Sequence, residues 1–208
     1  MLSQKEHEQK RIALMNGAVL AVAHKGLENI STRDISEYCH VNESYIYRYF
    51  DSKEDLLSKT FATVDRRFQS VILENFPVLK YESLDYEMRC ELLWKHCWDH
   101  ILTKPDSLTF YVRYYYSSSY QHYARAEHLL LYRPVLQKMA DAFPDSIDVA
   151  NFMHFILDSL LGMAMNCVVN PPEDRDAVAH ANFQMVFSVV IACIKKDRYL
   201  KNLDKPGA

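Results

Sequence analysis

The sequence predicts an all-α protein, and two observations lead to this fold class. Only four of the 208 residues are glycine, and apolar residues recur at intervals of three and four through most of the chain, which is the period of an amphipathic helix. Hydrophobic residues make up 49% of the sequence and charged residues 25%, and both values are ordinary for a globular protein. The length fits one domain or two.

Residues 3–25 form the first predicted helix. Gly26 follows directly and predicts a left-handed C-cap, and Leu27 would supply the apolar contact that accompanies such a cap. Apolar residues recur every three or four positions along the face that would pack on the next helices. They are Ile12, Met15, Val19 and Val22.

The stretch STRDISEYCHVNESYIYRYF (31–50) predicts two short helices joined by a tight turn. Ser31 is a suitable N-cap for the first helix, with Asp34 near the positive end of the helix dipole. The turn follows at His40, and Asn42 is a suitable N-cap for the second helix. This spacing is typical of a helix-turn-helix motif, whose second helix enters the major groove of DNA. A plain helical hairpin with exposed aromatic residues fits the same spacing.

The surface of the second helix is rich in tyrosine and arginine. Tyr45, Tyr47, Arg48 and Tyr49 occupy about two turns. These side chains combine apolar bulk with hydrogen-bonding tips, which suits contact with DNA phosphates and base edges. Ile46 and Phe50 lie one turn apart and would face the core instead. We therefore expect the second helix to read DNA.

The segment from about Arg11 to Phe61 resembles the N-terminal DNA-binding domain of TetR-type (tetracycline-repressor-like) regulators. The resemblance is carried by the run I-Y-x-Y-F-x-S-K-E-x-L-L at 46–57, together with Gly26 and residues 31–35 and 41–42. It covers the first quarter of the chain by motif and the remainder only by length and helical character. It implies a three-helix DNA-binding domain, followed by a larger helical domain that binds a small-molecule effector and forms a dimer.

On this basis the motif supplies the predicted DNA contacts. We assign base contacts to Asn42, Ser44 and Tyr45, with Tyr45 meeting a thymine methyl group. Glu43 either accepts from cytosine N4 or remains solvated. Phosphate contacts are assigned to Thr32, Arg33, Tyr47, Tyr49 and Lys53. With Arg48 as a further DNA contact, the full set is Thr32, Arg33, Asn42, Glu43, Ser44, Tyr45, Tyr47, Arg48, Tyr49 and Lys53.

Two positions depart from the family pattern. His40 stands in the turn where the family has glycine, a residue that permits positive φ, and histidine is among its less costly substitutes there. Tyr45 is large where the family has a small residue. The second departure bears on the operator sequence that is read.

A fourth helix is predicted to start at Ser52, with Asp55 as a capping-box variant, and to run for about five turns. By resemblance, it links a DNA-binding domain of residues 1–52 to an effector-binding and dimerisation domain of residues 77–200, with residues 53–76 as the link. Its tilt would change when ligand binds. A simple core helix is the alternative. Its apolar positions are Leu57, Phe61, Val64, Phe68 and Val71.

Residues 77–85 are predicted to be a loop, and residues 84–103 a fifth helix. The fifth helix places His96 and His100 four residues apart, a spacing that can chelate a metal ion from one helix. No carboxylate or third histidine nearby completes a site, so we predict no metal and interpret both as ordinary flanking histidines.

The run FYVRYYYSSSYQHY (110–123) is the most aromatic part of the chain and follows a helix start at Pro105. Aromatic side chains on several faces favour a cavity with a few polar groups, although tyrosines packed between helices with their tips in water fit equally well. The family places its effector pocket among the middle helices, so the predicted pocket residues are Trp94, Trp98, Phe110, Tyr111, Tyr114 and Tyr115.

Residues 124–143 predict a helix that is kinked or restarts near Tyr132, because Pro134 removes a backbone hydrogen bond. Two long helices follow, at about 146–168 and 174–197. Each is apolar over a wider surface than one packing face needs, which favours burial in a second subunit of a two-fold dimer. The predicted interface residues are Phe152, Phe155, Ile156, Leu160, Met163, Phe183, Phe187, Val190, Ile191 and Ile194.

Charge, cysteine content and hydropathy bound the function. The net charge of −3 at pH 7 argues against a non-specific DNA binder, so affinity would have to come from where the cations sit. Five scattered cysteines without a C-x-x-C motif favour reduced thiols, with Cys90 and Cys97 buried unless they form a redox sensor. No signal region and no run of about 18 apolar residues is evident, so we expect a cytoplasmic protein without a membrane partner.

The leading hypothesis is a homodimeric transcriptional repressor. It would bind a near-palindromic double-stranded DNA operator and release it when a small molecule enters the C-terminal domain. We predict no cofactor, and no enzyme, because nucleophile-elbow, P-loop, Glu-x-x-His pair and dinucleotide motifs are absent from the sequence. The alternatives are a helical metal-binding or enzymatic protein built on the histidine pair and the tyrosine-rich run, and a helical interaction module without DNA binding.

Overall fold

The computed structural model describes residues 3–81 and 83–194, and every regular element within them is a helix. The all-α prediction is therefore confirmed. The α-helices are α1 (Gln4–Lys25), α2 (Thr32–Cys39), α3 (Ile46–Tyr49), α4 (Lys53–Asn75), α5 (Tyr86–Leu102), α6 (Pro105–Tyr115), α7 (Ser118–Tyr123), α8 (Arg125–Ala140), α9 (Val149–Val169) and α10 (Arg175–Cys193), and short 3-10 helices cover Leu27–Asn29, Glu43–Tyr45 and Phe76–Lys80.

The chain divides into two compact units that are not continuous in sequence. The first consists of Met1–Arg67 and Lys104–Leu130, and the second of Phe68–Thr103 and Leu131–Ala208. The first unit is larger than the predicted DNA-binding domain, because α6 packs against α1. α4 and α8 each contribute residues to both units.

Within the first unit, the buried face of α1 differs from the predicted one at its N-terminal end. Met15, Val19 and Val22 are buried as expected, but Ile12 is 44% exposed. The buried residues of α1 centre on Ala18, and a position six residues earlier lies about 120° around the helix.

Gly26 ends α1 in a conformation that only glycine adopts readily. Its φ of 88° is positive, as predicted, but its ψ of 149° lies outside the left-handed helical region, so the expected left-handed cap is wrong in detail. The Gly26 N–H donates to the Val22 carbonyl at 3.0 Å.

Gly17 allows α1 and α2 to approach closely. A Cβ atom at this position would lie 2.7 Å from the Ile35 carbonyl oxygen and 2.8 Å from Cys39 Cβ. Both distances are shorter than real Cβ contacts, so a side chain at position 17 would force the first two helices of the unit apart.

In the second unit, α5 packs against α9, α10 and the 3-10 helix Phe76–Lys80. The loop predicted at 77–85 therefore begins with regular structure. α8 continues through Pro134 to Ala140, so no new helix starts near Tyr132. Tyr132 and Val135 of α8 join Met153 of α9 in a buried cluster.

α9 and α10 begin and end within a few residues of their predicted bounds, and residues 195–197 of the second prediction lie outside the described residues. By length and composition alone, both helices are apolar enough to cross a membrane. Neither helix contains an unbroken run of about 18 apolar residues, in agreement with the sequence prediction. Core helices of soluble proteins meet the same criterion of length and composition.

Candidate DNA-reading surface and apolar cavity

α2 begins with a complete capping box. The Asp34 N–H donates to Ser31 Oγ at 3.1 Å, and the Ser31 N–H donates to Asp34 Oδ2 at 2.7 Å. Lys25 Nζ also donates to the Asp34 carboxylate. These hydrogen bonds, that of Lys25 first and those of Ser31 next, hold the pKa of Asp34 well below its ordinary value of 3.8. The start of α2 is thereby tied to the end of α1.

The turn between the two helices is built on His40. It has φ 53° and ψ 32°, the left-handed conformation, and it is the only non-glycine residue with positive φ in the described part of the chain. This is the conformation that glycine would adopt at no steric cost in the family pattern. Asn42 then caps the second helix, because its Oδ1 accepts from the Ser44 N–H at 2.9 Å.

The second helix begins as the 3-10 helix Glu43–Tyr45 and continues as α3. Ile46 and Phe50 are buried beneath it, as the spacing predicts. Tyr47 points away from the core and is 64% exposed, and Asn42, Ser44 and Arg48 are exposed on the same motif. A short helix with a buried stripe and an exposed polar and aromatic face is therefore present at the predicted position.

Tyr45 and Tyr49 are held against α1. Their rings stack with centroids 6.1 Å apart. His7 Nδ1 lies 2.7 Å from the Tyr49 hydroxyl oxygen, and Lys10 Nζ lies 4.0 Å from the centroid of the Tyr45 ring. Neither His7 nor Lys10 was predicted at this surface, since no spacing rule connects α1 to a helix about forty residues later.

Several predicted DNA contacts already have partners within the protein. Thr32 Oγ1 donates to the Glu43 carboxylate, which leaves less of that carboxylate for a cytosine. Arg33 Nε donates to Glu37 at 3.0 Å on the surface. Lys53 Nζ donates at 3.1 Å to a backbone carbonyl of the loop before α2. These bonds orient the side chains around the motif before DNA arrives.

The aromatic residues of α6 lie in the first unit, around Phe61 of α4. The Phe61 ring stacks on Tyr111 and Tyr114, with centroids 4.8 and 5.0 Å away. Phe110 and Tyr115 are buried in the same unit. These four predicted pocket residues therefore pack between helices as core. The alternative, in which the tyrosine tips reach water, is also wrong for Tyr111 and Tyr114, because their hydroxyl groups are buried.

A buried polar network adjoins this aromatic cluster. Asp65 of α4 accepts at Oδ1 from the Tyr111 hydroxyl at 2.8 Å, and its Oδ2 lies 2.8 Å from His128 Nδ1. Asp65 and His128 are each 1% exposed. Neither residue was predicted from the sequence, because an acidic residue on a long helix ordinarily lies on its solvated face.

The second unit encloses a cavity of about 190 Å³. Its wall is formed by α5, α8, α9, α10, the C-terminal part of α4 and the 3-10 helix Phe76–Lys80. Trp94, one of the predicted pocket residues, lines this cavity. Trp98 is buried beside Trp94, with ring centroids 6.4 Å apart, but is not part of the wall. The wall is almost wholly apolar, which is the usual character of a small-molecule site.

Five of the predicted dimer residues also line this cavity: Ile156, Leu160, Phe183, Phe187 and Val190. Leu160, Phe183 and Phe187 are buried inside the protomer, so they are not available to a partner, and neither is the buried Ile194. α9 and α10 are apolar on several faces, and one face of each is buried within the protomer itself. Phe152, Met163 and Ile191 are half-buried and Phe155 is 40% exposed.

The cysteines and histidines of α5 show neither the features of a reactive thiol nor those of a metal site within the described residues. Cys90 and Cys97 line the cavity, and burial raises the pKa of each thiol to about 12. A reactive thiol needs the opposite shift. His96 is exposed and His100 half-buried, and no group of three His, Cys, Asp or Glu residues that would hold a metal ion occurs among residues 3–81 and 83–194.

Residues 14–60 match the family model for bacterial regulatory proteins of the tetR family. No curated protein matches the chain in sequence. Several solved structures are similar in fold. A TetR family transcription regulator from Marinobacter aquaeolei VT8 has a TM-score of 0.70 and 19% identity, over 92% of this chain and 99% of that one. A tetR family regulator from Shewanella sp. PV-4 has a TM-score of 0.71 and 18% identity, over 89% of this chain and 98% of that one. FadR from Bacillus subtilis in complex with stearoyl-CoA has a TM-score of 0.63 and 16% identity, over 85% of this chain and 97% of that one.

The helix-turn-helix geometry and the family match together define a DNA-binding transcriptional regulator. The likeness to the solved structures extends this fold over nearly the whole chain. Residues 14–60 therefore match the DNA-binding domain of TetR-type regulators, and the resemblance noted in the sequence is confirmed.

Proposed function

We propose that the protein is a ligand-released repressor that binds a near-palindromic operator as a homodimer in the cytoplasm. The observation that carries the DNA-binding part is the exposed face of the second motif helix. Tyr47 is 64% exposed between the buried Ile46 and Phe50, so its side chain is free to reach a groove or a phosphate. Ser44, Arg48 and Asn42 extend the same exposed face.

The apolar cavity of the second unit supports the ligand-binding part of the proposal. Its wall offers apolar contact on all sides, and a ligand there would touch Phe68 and Ile72 of α4. α4 begins directly after the motif, at Lys53. A ligand that shifts α4 would therefore act on the helix that follows the DNA-reading residues. The similar FadR of Bacillus subtilis was solved with stearoyl-CoA, which supports an apolar effector.

The exposed apolar residues of α9 and α10 support the homodimer. Phe155 and Val169 of α9 and Met185 and Val189 of α10 are exposed, on helices that also contribute to the core. Apolar surface of this kind is typical of an interface between subunits. A two-fold pairing of α9 and α10 would cover it and would place two motifs on one operator.

The first experiment is selection of DNA from a random pool by the purified protein at moderate salt, followed by binding assays on the enriched sequence. A sequence with two-fold symmetry is expected. Tyr47→Ala should then abolish operator binding while circular dichroism and oligomeric state remain unchanged. Tyr81→Ala is the matched control, because Tyr81 is a 53% exposed tyrosine outside the motif. Unchanged binding by Tyr47→Ala would place the reading surface elsewhere.

A further inference from the structure

Two cationic side chains contact one short segment of the cavity wall, and a third cationic residue ends that segment. The 3-10 helix Phe76–Lys80 contributes Phe76 and Leu79 to the wall. Lys138 of α8 also lines the cavity, and its Nζ lies 5.9 Å from the centroid of the Phe76 ring. Arg89 of α5 donates from Nη1 to the Leu79 carbonyl at 2.9 Å. Lys80 itself ends the segment. We call Lys80, Arg89 and Lys138 the cationic rim.

The cationic rim has spare hydrogen-bonding and charge capacity. Lys80 and Lys138 are exposed, and no ion pair joins any rim residue to a carboxylate within the described ranges. Arg89 donates hydrogen bonds to two backbone carbonyls, which leaves several of its five N–H donors available. The neighbouring carboxylate of Glu87 accepts from Gln184 Nε2 at 2.7 Å.

The other described residues of the cavity wall are uncharged. Among the described residues that line the cavity, Lys138 is the only one that is charged. An ionised group deep inside would lose its hydration without a compensating partner, whereas the same group at the rim would meet cations and water. The cavity and its rim therefore suit two different parts of one ligand.

We propose that the effector is an amphipathic anion, whose apolar body fills the cavity and whose carboxylate or phosphate head meets the cationic rim. The inference rests on the proposed function of the cavity as effector site. Ammonium and guanidinium groups bind either head through charge-assisted hydrogen bonds. The apolar body supplies the affinity, and the rim selects the acid over a neutral molecule with the same body.

The test compares dodecanoate, dodecyl phosphate and dodecanol, each below its micelle concentration, on the full chain. Trp94 in the wall reports binding through its fluorescence. We expect an anion to bind about tenfold more tightly than the alcohol, which corresponds to several exposed ion pairs, and high salt to reduce this preference. The better of the two anions identifies the head group.

Lys138→Met should reduce the preference for the anion about threefold, as expected for one partly exposed ion pair, and leave dodecanol binding unchanged. Lys104→Met is the matched control, because Lys104 is exposed and belongs to the first unit, and it should change neither. Equal binding of anion and alcohol, or an anion preference that Lys138→Met does not alter, would overturn the inference while leaving an apolar effector in place. If none of the three probes binds, the cavity fails as the effector site and both proposals fall.

Discussion

The buried carboxylate of Asp65 should destabilise the fold when one of its hydrogen-bond partners is removed. It accepts from Tyr111 and contacts His128 at 2.8 Å in each case. Replacing His128 by leucine keeps the bulk of the side chain but removes the partner of Oδ2. The carboxylate then stays buried with one ring hydroxyl as its remaining bonded partner in this network.

The expected cost follows from this geometry. Breaking a buried pair by removing one member costs about 3–5 kcal/mol of the free energy of unfolding. Adding Asp65→Leu removes the stranded carboxylate, and the penalty that remains is the lost acceptor of the Tyr111 hydroxyl, about 1–3 kcal/mol. The double variant should therefore be more stable than His128→Leu alone by roughly 2 kcal/mol.

Urea unfolding followed by circular dichroism measures both variants against the parent protein. Glu127→Ala is the control, because Glu127 forms an exposed ion pair with Arg66 at 3.5 Å near the same helices, and its loss should cost less than about 1 kcal/mol. If the double variant is no more stable than His128→Leu, the network does not stabilise the fold through a buried carboxylate and the reasoning is refuted.

Three further predictions concern other parts of the chain. Gly17→Ala should destabilise the protein and weaken operator binding, measured by thermal unfolding and by DNA titration, because its Cβ would collide with the α2 backbone. The lowered pKa of Asp34, held down by Lys25, stabilises the fold above pH 3.8 and progressively less as the pH falls below it, so acid unfolding of Asp34→Asn should depend less steeply on pH. Cys90 and Cys97, whose pKa burial raises to about 12, should resist alkylation at pH 8 until the protein is unfolded, as peptide mapping would reveal.

The sequence predicted what local chemistry determines. Ser31 and Asn42 are caps because their side chains reach an N–H two or three residues away, and helix period alone separated the buried Ile46 from the exposed Tyr47. These interactions span a few residues, so spacing suffices to find them.

Contacts between distant segments were beyond the same reasoning. Nothing local to Gly17 shows that a helix crosses it, and the partners of Asp65 are 46 and 63 residues away. The aromatic run was assigned to a pocket because the family places its effector pocket among the middle helices. Hydroxyl-bearing rings suit both a cavity and a core, and periodicity does not tell these apart. The wall of the actual cavity is made mostly of aliphatic and phenylalanine side chains. In a sequence, such residues cannot be told apart from residues of the hydrophobic core.

α4 changes partners along its length, and this bears on how a regulator of this type would work. Up to Asp65 its side chains join the aromatic cluster and the buried network of the first unit, and from Phe68 onward they line the cavity of the second. Three residues separate these roles, less than one helical turn. A continuous helix does not bend within one turn without a proline, an inserted group or a broken hydrogen bond, and α4 contains no proline. In the proposed mechanism, a ligand against Phe68 would therefore act on the same helix that carries Asp65.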